Sequence, residues 1–162
     1  MSGVASPKPE FPPLLAASGR HAYTVDDLKA ICVDGFPHST SRKGIFDELA
    51  RVIDKTRSVN IRGELWIDGG FLTQSINPKD VDFVLRFDSD DYDAGTMEQK
   101  QVIDWIVHDL WKNGICDSYA FPEYPTAHPL QWLTQDQHDY WMKWFGKSRR
   151  GEVKGIAVIK FP

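Results

Sequence analysis

The segment Ile67 to Phe87, IDGGFLTQSINPKDVDFVLRF, restricts the fold more than any other part of the chain. An apolar strand tail runs into two glycines, a short stretch with a proline turn follows, and Asp-Val-Asp opens a second strand. In that second strand, Asp80 to Phe87, Val81, Phe83, Leu85 and Phe87 share one face while Asp80, Asp82, Val84 and Arg86 share the other. Gly69 and Gly70 allow the backbone to turn sharply and approach a ligand closely. If Phe71 to Ser75 begins a helical turn, its amides would form a phosphate-sized anion site. Asp80 and Asp82 would project from one strand face about 7 Å apart, near enough to share divalent cations. Hard oxygen donors of this kind suit Mg2+, or Mn2+ in its place.

The flanking sequence supplies alternating helices and strands. Thr24 and Asp27 make an N-cap pattern for a short helix through Ile31, and Gly35-Phe36-Pro37 closes it. From Ser41 to about Arg57, Ile45, Leu49, Val52 and Ile53 recur at helical spacing. Ile61 to Asp68 reads as the strand entering the glycines, and Thr96 with Gln99 as a capping box for a helix to about Asn113. Gly114 stops that helix, and Ile115 to Phe121 reads as a strand with Asp117 out of pattern among Ile115, Tyr119 and Phe121. Thr134 and Gln137 predict the cap of a last helix containing Tyr140, Trp141, Trp144 and Phe145, and Val153 to Phe161 predicts a closing strand. The order implies an α/β domain with a small mixed sheet.

Composition removes several classes. With 41% hydrophobic residues and 26% charged in 162, the chain has the make-up of one globular domain rather than a disordered or collagen-like one. Residues 1–13, rich in proline, read as a flexible beginning, and 14–162 as the domain. The beginning has no charged region feeding an apolar run, so a cytoplasmic location and no membrane partner are expected. Cys32 and Cys116 lie far apart in no metal or redox spacing, which predicts burial or a reducing compartment. A net charge of −4 means that a nucleic acid would have to be held by a local patch. Seventeen of the 23 acidic residues are Asp, a bias toward caps, turns and metal sites.

Asp68-Gly69-Gly70, nine intervening residues and Asp80-Val81-Asp82-Phe83 resemble the signature of the polymerase β-like nucleotidyltransferase superfamily. That signature has a hydrophobic residue where Asp68 stands, and more often Ser where Gly70 stands. The wider layout is similar to a small group of bacterial and phage nucleotidyltransferase-like proteins. Gly19-Arg20-His21, Ser41-Arg42, Trp66 to Gly70 and Lys154-Gly155-Ile156 carry that similarity. The resemblance implies a nucleotidyltransferase-like fold, a small mixed β-sheet with helices packed mainly on one face. It implies metal on Asp80 and Asp82, a third carboxylate from Asp117, and phosphates on Gly69 and Gly70, with Arg42 and Lys154 as further phosphate contacts. The expected substrate is a nucleoside triphosphate, and the expected acceptor a protein or tRNA hydroxyl. A toxin–antitoxin or phage-defence setting, with a partner protein, is also implied. A non-catalytic antitoxin, immunity or assembly module and a metal-dependent phosphoesterase are the competing readings.

Other polar residues have plainer explanations. The five histidines show no metal-binding spacing, and Ser39, Thr40 and Ser41 suit helix capping. Lys147, Arg149, Arg150 and Lys154 form a basic cluster that reads either as a solvated loop or as a triphosphate or nucleic-acid clamp. Lys154 would point to the site if its strand lay next to that of Asp117. The DSDDYD stretch from Asp88 to Asp93 suits helix-dipole complementarity and solubility rather than a calcium loop. Trp105, Trp111, Trp141 and Trp144 are expected to pack in the core.

Overall fold

The computed structural model describes residues 10–162, so most of the expected proline-rich beginning lies outside the described residues. Five strands make one mixed sheet: β1 (Gly19–Ala22), β2 (Gly63–Asp68), β3 (Val81–Asp88), β4 (Cys116–Glu123) and β5 (Gly155–Phe161). Their order is β1-β5-β2-β3-β4. The β1/β5 and β3/β4 pairs are parallel, and β2 runs antiparallel to both β3 and β5. The helices are α1 (Val25–Lys29), α2 (Arg42–Ser58), α3 (Asp90–Asp93), α4 (Met97–His108) and α5 (Gln131–Phe145).

Strand alternation sends two apolar sets to opposite faces. On one face Leu65, Ile67, Phe83, Leu85 and Ile159 pack with Leu28 of α1, Leu49 and Val52 of α2, and Ile106 of α4, all fully buried or nearly so. On the other, Trp66, Val84, Phe121, Ile156 and Val158 pack under Trp141 and Phe145 of α5. Trp66 meets Phe121 edge-on at 5.9 Å between ring centroids. Burial of each large side chain contributes about 1.5–3 kcal/mol, so both layers matter to stability. Helices therefore gather mainly on one face, as expected, but α5 covers part of the second.

Several local expectations are sharpened. The Thr24/Asp27 and Thr96/Gln99 capping boxes form with both reciprocal hydrogen bonds. Thr134 is instead inside α5, buried, where its Oγ1 donates to the Pro122 carbonyl and accepts from the Tyr124 amide. It ties the helix to β4 and leaves Leu130 as the N-cap residue. Pro122 is tolerated within β4 because β4 is an edge strand. Asp91 of the acidic stretch is also buried, and accepts hydrogen bonds from the amide and guanidinium of Arg62. Both cysteines are buried and free.

Candidate active site

Strand register brings together three carboxylates that are far apart in sequence. Asp68, the last residue of β2, pairs with Asp82 on β3, and Asp82 pairs with Asp117 on β4. Directly paired residues share a face, so the three side chains form one row across adjacent strands about 4.5–5.5 Å apart. The row continues the apolar face occupied by Trp66, Val84 and Phe121, and is exposed at its Asp117 end. Asp80, two residues before Asp82, adds a fourth charge just outside the strand.

The row is graded in exposure. Asp68 is buried, Asp82 is half-buried, and Asp117 and Asp80 are exposed. Burial pushes Asp82 up to about 7, with the charges of Asp80, Asp117 and Asp68 adding to the effect and Lys154 opposing it. Asp68 is likewise pushed up to about 6 by burial, against the lowering influence of Lys154 and the Gly69 amide. The Nζ of Lys154 lies 2.9 Å from Asp68 Oδ1, and both side chains are largely buried. One buried ammonium therefore faces a group of four carboxylates.

The glycine turn packs directly against this group. Gly69 has φ +84°, and a Cβ on it would meet Asp82 Oδ2 at 2.8 Å, so backbone conformation and space both demand glycine. Gly70 is less constrained, since a Cβ there would meet only Pro78 Cβ at 3.4 Å. Gly70–Leu72 forms a single 3-10 turn. The expected anion site made by the amides of Phe71 to Ser75 is not present in that form, because four of the five amides are used internally. Leu72 donates to the Gly69 carbonyl, Thr73 to Gly70, Gln74 to Pro12, and Ser75 to Thr73 Oγ1. Phosphate contact at this turn would fall to Gly69 and Gly70 themselves.

Arg42 requires a second correction. It is fully buried, and its guanidinium donates to the carbonyls of Cys32, Phe71, Thr73 and Ser75. All five of its N–H groups are thereby spent. The guanidinium also lies 3.7 Å from the Phe36 ring centroid. Arg42 thus fixes the loop after the glycines from behind and does not reach a phosphate. Ser39 Oγ accepts from the amides of Ser41 and Arg42, so capping does account for one of the nearby hydroxyls. From the other side Pro13 bridges Thr73, and the Leu14 amide donates to the Leu72 carbonyl. The chain before β1 therefore straps the loop in place from Pro12 onward.

Lys154 reaches the site by a different route from the one anticipated. Its strand borders β2 rather than β4, and the lysine approaches from the Asp68 end of the row. Of the other cluster residues, Arg150 pairs with Glu10 at 3.0 Å. Asp68 was not singled out in the sequence, where it occupies a position that the signature reserves for a hydrophobic residue. The only available signal was its place at the end of a strand directly before the glycines. Among the histidines, His21 bonds to the Ala17 carbonyl and His138 accepts from Arg86, so these two have structural partners.

Among the described residues, no three His, Cys, Asp or Glu side chains already converge on a common metal position. The donor chemistry nevertheless fits a hard divalent cation: Asp80, Asp82 and Asp117 supply only oxygen, and their mutual repulsion is what a cation would relieve. No helix among the described residues is long and apolar enough to cross a membrane. No curated protein and no solved structure matches the chain. The sequence model of a family of unknown function, DUF6932, matches residues 9–160.

Proposed function

Since the chain belongs to the DUF6932 family, whose function is unknown, its activity must be inferred from its own site, and we propose a Mg2+-dependent nucleotidyltransferase with a nucleotidyltransferase-like fold. The reaction moves a nucleoside monophosphate from a nucleoside triphosphate to a hydroxyl of an RNA or protein acceptor. The observation that carries this reading is the in-register row of Asp68, Asp82 and Asp117 beside the Gly69-Gly70 turn, with Asp80 at its mouth.

Asp80 and Asp82 would hold the metal, with Asp117 available as a further ligand. Bound Mg2+ would supply charge neutralisation of the triphosphate and its alignment for in-line displacement. Asp117, exposed at the edge strand, takes the proton of the acceptor hydroxyl. The hydroxyl oxygen forms a bond to the α-phosphorus while the bond to the bridging oxygen breaks, and pyrophosphate leaves with that electron pair. Gly69 and Gly70 allow the phosphates close to the backbone. Lys154 keeps a positive charge at the buried end of the row, held there by Asp68. Asp82 must be deprotonated to bind a cation, so Mg2+ competes there with a proton that burial and the neighbouring carboxylates hold more tightly than usual.

A non-catalytic module that acts by protein–protein binding is the second reading. The internal use of the loop amides favours it, since a dedicated phosphate cradle would leave them free. One assay separates the two. Wild type, incubated with Mg2+, α-labelled nucleoside triphosphates and cell lysate, should place label on RNA or protein, and D80A/D82A should place none. Equal labelling by both proteins, or by neither, rules out the transferase reading.

A further inference from the structure

The expectation that the tryptophans pack in the core fails for two of them, and one failure lies beside the carboxylate row. Trp144 is 60% exposed and Tyr140 50%, one helical turn apart on α5, and Tyr119 of β4 is 40% exposed. The three are not scattered. Tyr119 lies against the ring of buried Trp141 at 4.7 Å between centroids, Tyr140 meets Trp141 edge-on at 5.0 Å, and Tyr140 and Trp144 are 6.1 Å apart. Tyr119 follows Asp117 by two residues on the same strand face, and the Asp117 carboxylate helps to hold its phenol at about 12, secondary to burial. At the far end, the carbonyl of Gly146, which closes α5, accepts from the amide of Lys154. The aromatic strip therefore runs from Asp117 along α5 toward the lysine end of the same row.

Charge along the strip is uneven. Asp136 lies one turn before Tyr140 and exposed Asp139 directly before it, whereas Lys143 adjoins Trp144, and Lys147 and Arg149 follow after the helix, so the positive charge is confined to the Trp144 end. These three cations are exposed and have no carboxylate partner within salt-bridge distance among the described residues. Exposed rings interleaved with unpaired cations match what single-stranded nucleic acid needs, which is ring faces for its bases and positive charge for its phosphates. Edge strand β4 leaves the Asp117 side of the row open, so a strand laid on these rings would bring its end to the exposed carboxylates.

We infer that the α5 strip is a binding surface for single-stranded RNA, which delivers its terminal hydroxyl to Asp117 as the acceptor. The delivery step rests on the transferase reading above, whereas RNA binding does not. Bases stack on Tyr140 and Trp144, and Lys143, Lys147 and Arg149 contact phosphates. Sequence preference is weak, because stacking accepts every base.

The test is fluorescence anisotropy of a labelled 12-nucleotide single-stranded RNA of mixed sequence, run with the full chain at several salt concentrations. D80A/D82A, which removes negative charge where the strand ends, should bind at least as tightly as wild type. Y140A and W144A should each weaken binding at least about fivefold, whereas W144F should keep most of it. K147Q and R149Q should each lower the salt-dependence slope by about 1. Trp111, 53% exposed on the 3-10 turn after α4, supplies the control, and W111F should bind like wild type. No RNA binding by wild type, unchanged affinity in both Y140A and W144A, or equal affinity for a blunt duplex overturns the inference. RNA binding with these losses but no nucleotide transfer leaves the RNA-binding surface standing and removes the transferase reading together with the delivery step. Transfer to a protein acceptor that survives Y140A/W144A does the reverse.

Discussion

At Asp82 the sheet gathers more like charge than one carboxylate tolerates, and the consequences can be measured without knowing the substrate. Its proton affinity rises from the ordinary 3.8 to about 7 because burial and three neighbouring carboxylates disfavour the anion. Between those values the folded chain binds more protons at this position than the unfolded chain, so stability contributed there is lost as pH rises through the window. D82N removes the charge at nearly constant shape. It should raise stability at pH 8 by on the order of 2 kcal/mol or more, measured by urea denaturation, while abolishing transfer. The two glycines should behave differently. G69A combines a left-handed backbone with a clash at Asp82 and should destabilise by more than about 1 kcal/mol, whereas G70S should stay within about 0.5 kcal/mol of wild type. R42A strips the loop carbonyls of their donors and should cost about 3 kcal/mol or more. R42K should recover little, because an ammonium lacks the guanidinium fork.

Elements explain why some of this was legible and some was not. Asp80 and Asp82 stood out in the sequence because strand alternation alone puts them on one face. The capping boxes of α1 and α4 were legible for a similarly local reason, the three-residue spacing of their partners. T96A should accordingly cost about 1 kcal/mol in chemical denaturation and leave activity unchanged. Asp68 gains its meaning only from cross-strand pairing with Asp82, which no local pattern encodes. Arg42 at a helix start looks the same in sequence whether it meets a phosphate or four backbone carbonyls. Strand β1 has no local signal, because its four residues, Gly-Arg-His-Ala, carry no apolar alternation. Lys154 lies beside the carboxylates although β5, the strand it precedes, borders β2 and not the strand of Asp117, because strand order depends on crossovers that no local pattern encodes.

For the whole molecule, one mixed sheet bears helices on both faces, and one end of one face is exposed at Asp117. The residues on that end are acidic, and the helix beside it offers exposed rings and cations. A protein built this way should gain stability from a divalent cation, and gain more of it when Asp82 is ionised. Millimolar Mg2+ should therefore raise the melting temperature at pH 8 and have little effect at pH 5.5, with D80N/D82N abolishing the difference. The central claim is nucleotide transfer, and the fate of the phosphorus tests it most directly. In 31P NMR of the protein with Mg2+, ATP and single-stranded RNA, pyrophosphate should appear in step with a new phosphodiester signal, and D82N should leave ATP intact. Release of orthophosphate with no phosphodiester would indicate a phosphoesterase, and unchanged ATP in every sample, with each nucleoside triphosphate tried and lysate protein offered in place of RNA, would contradict the account.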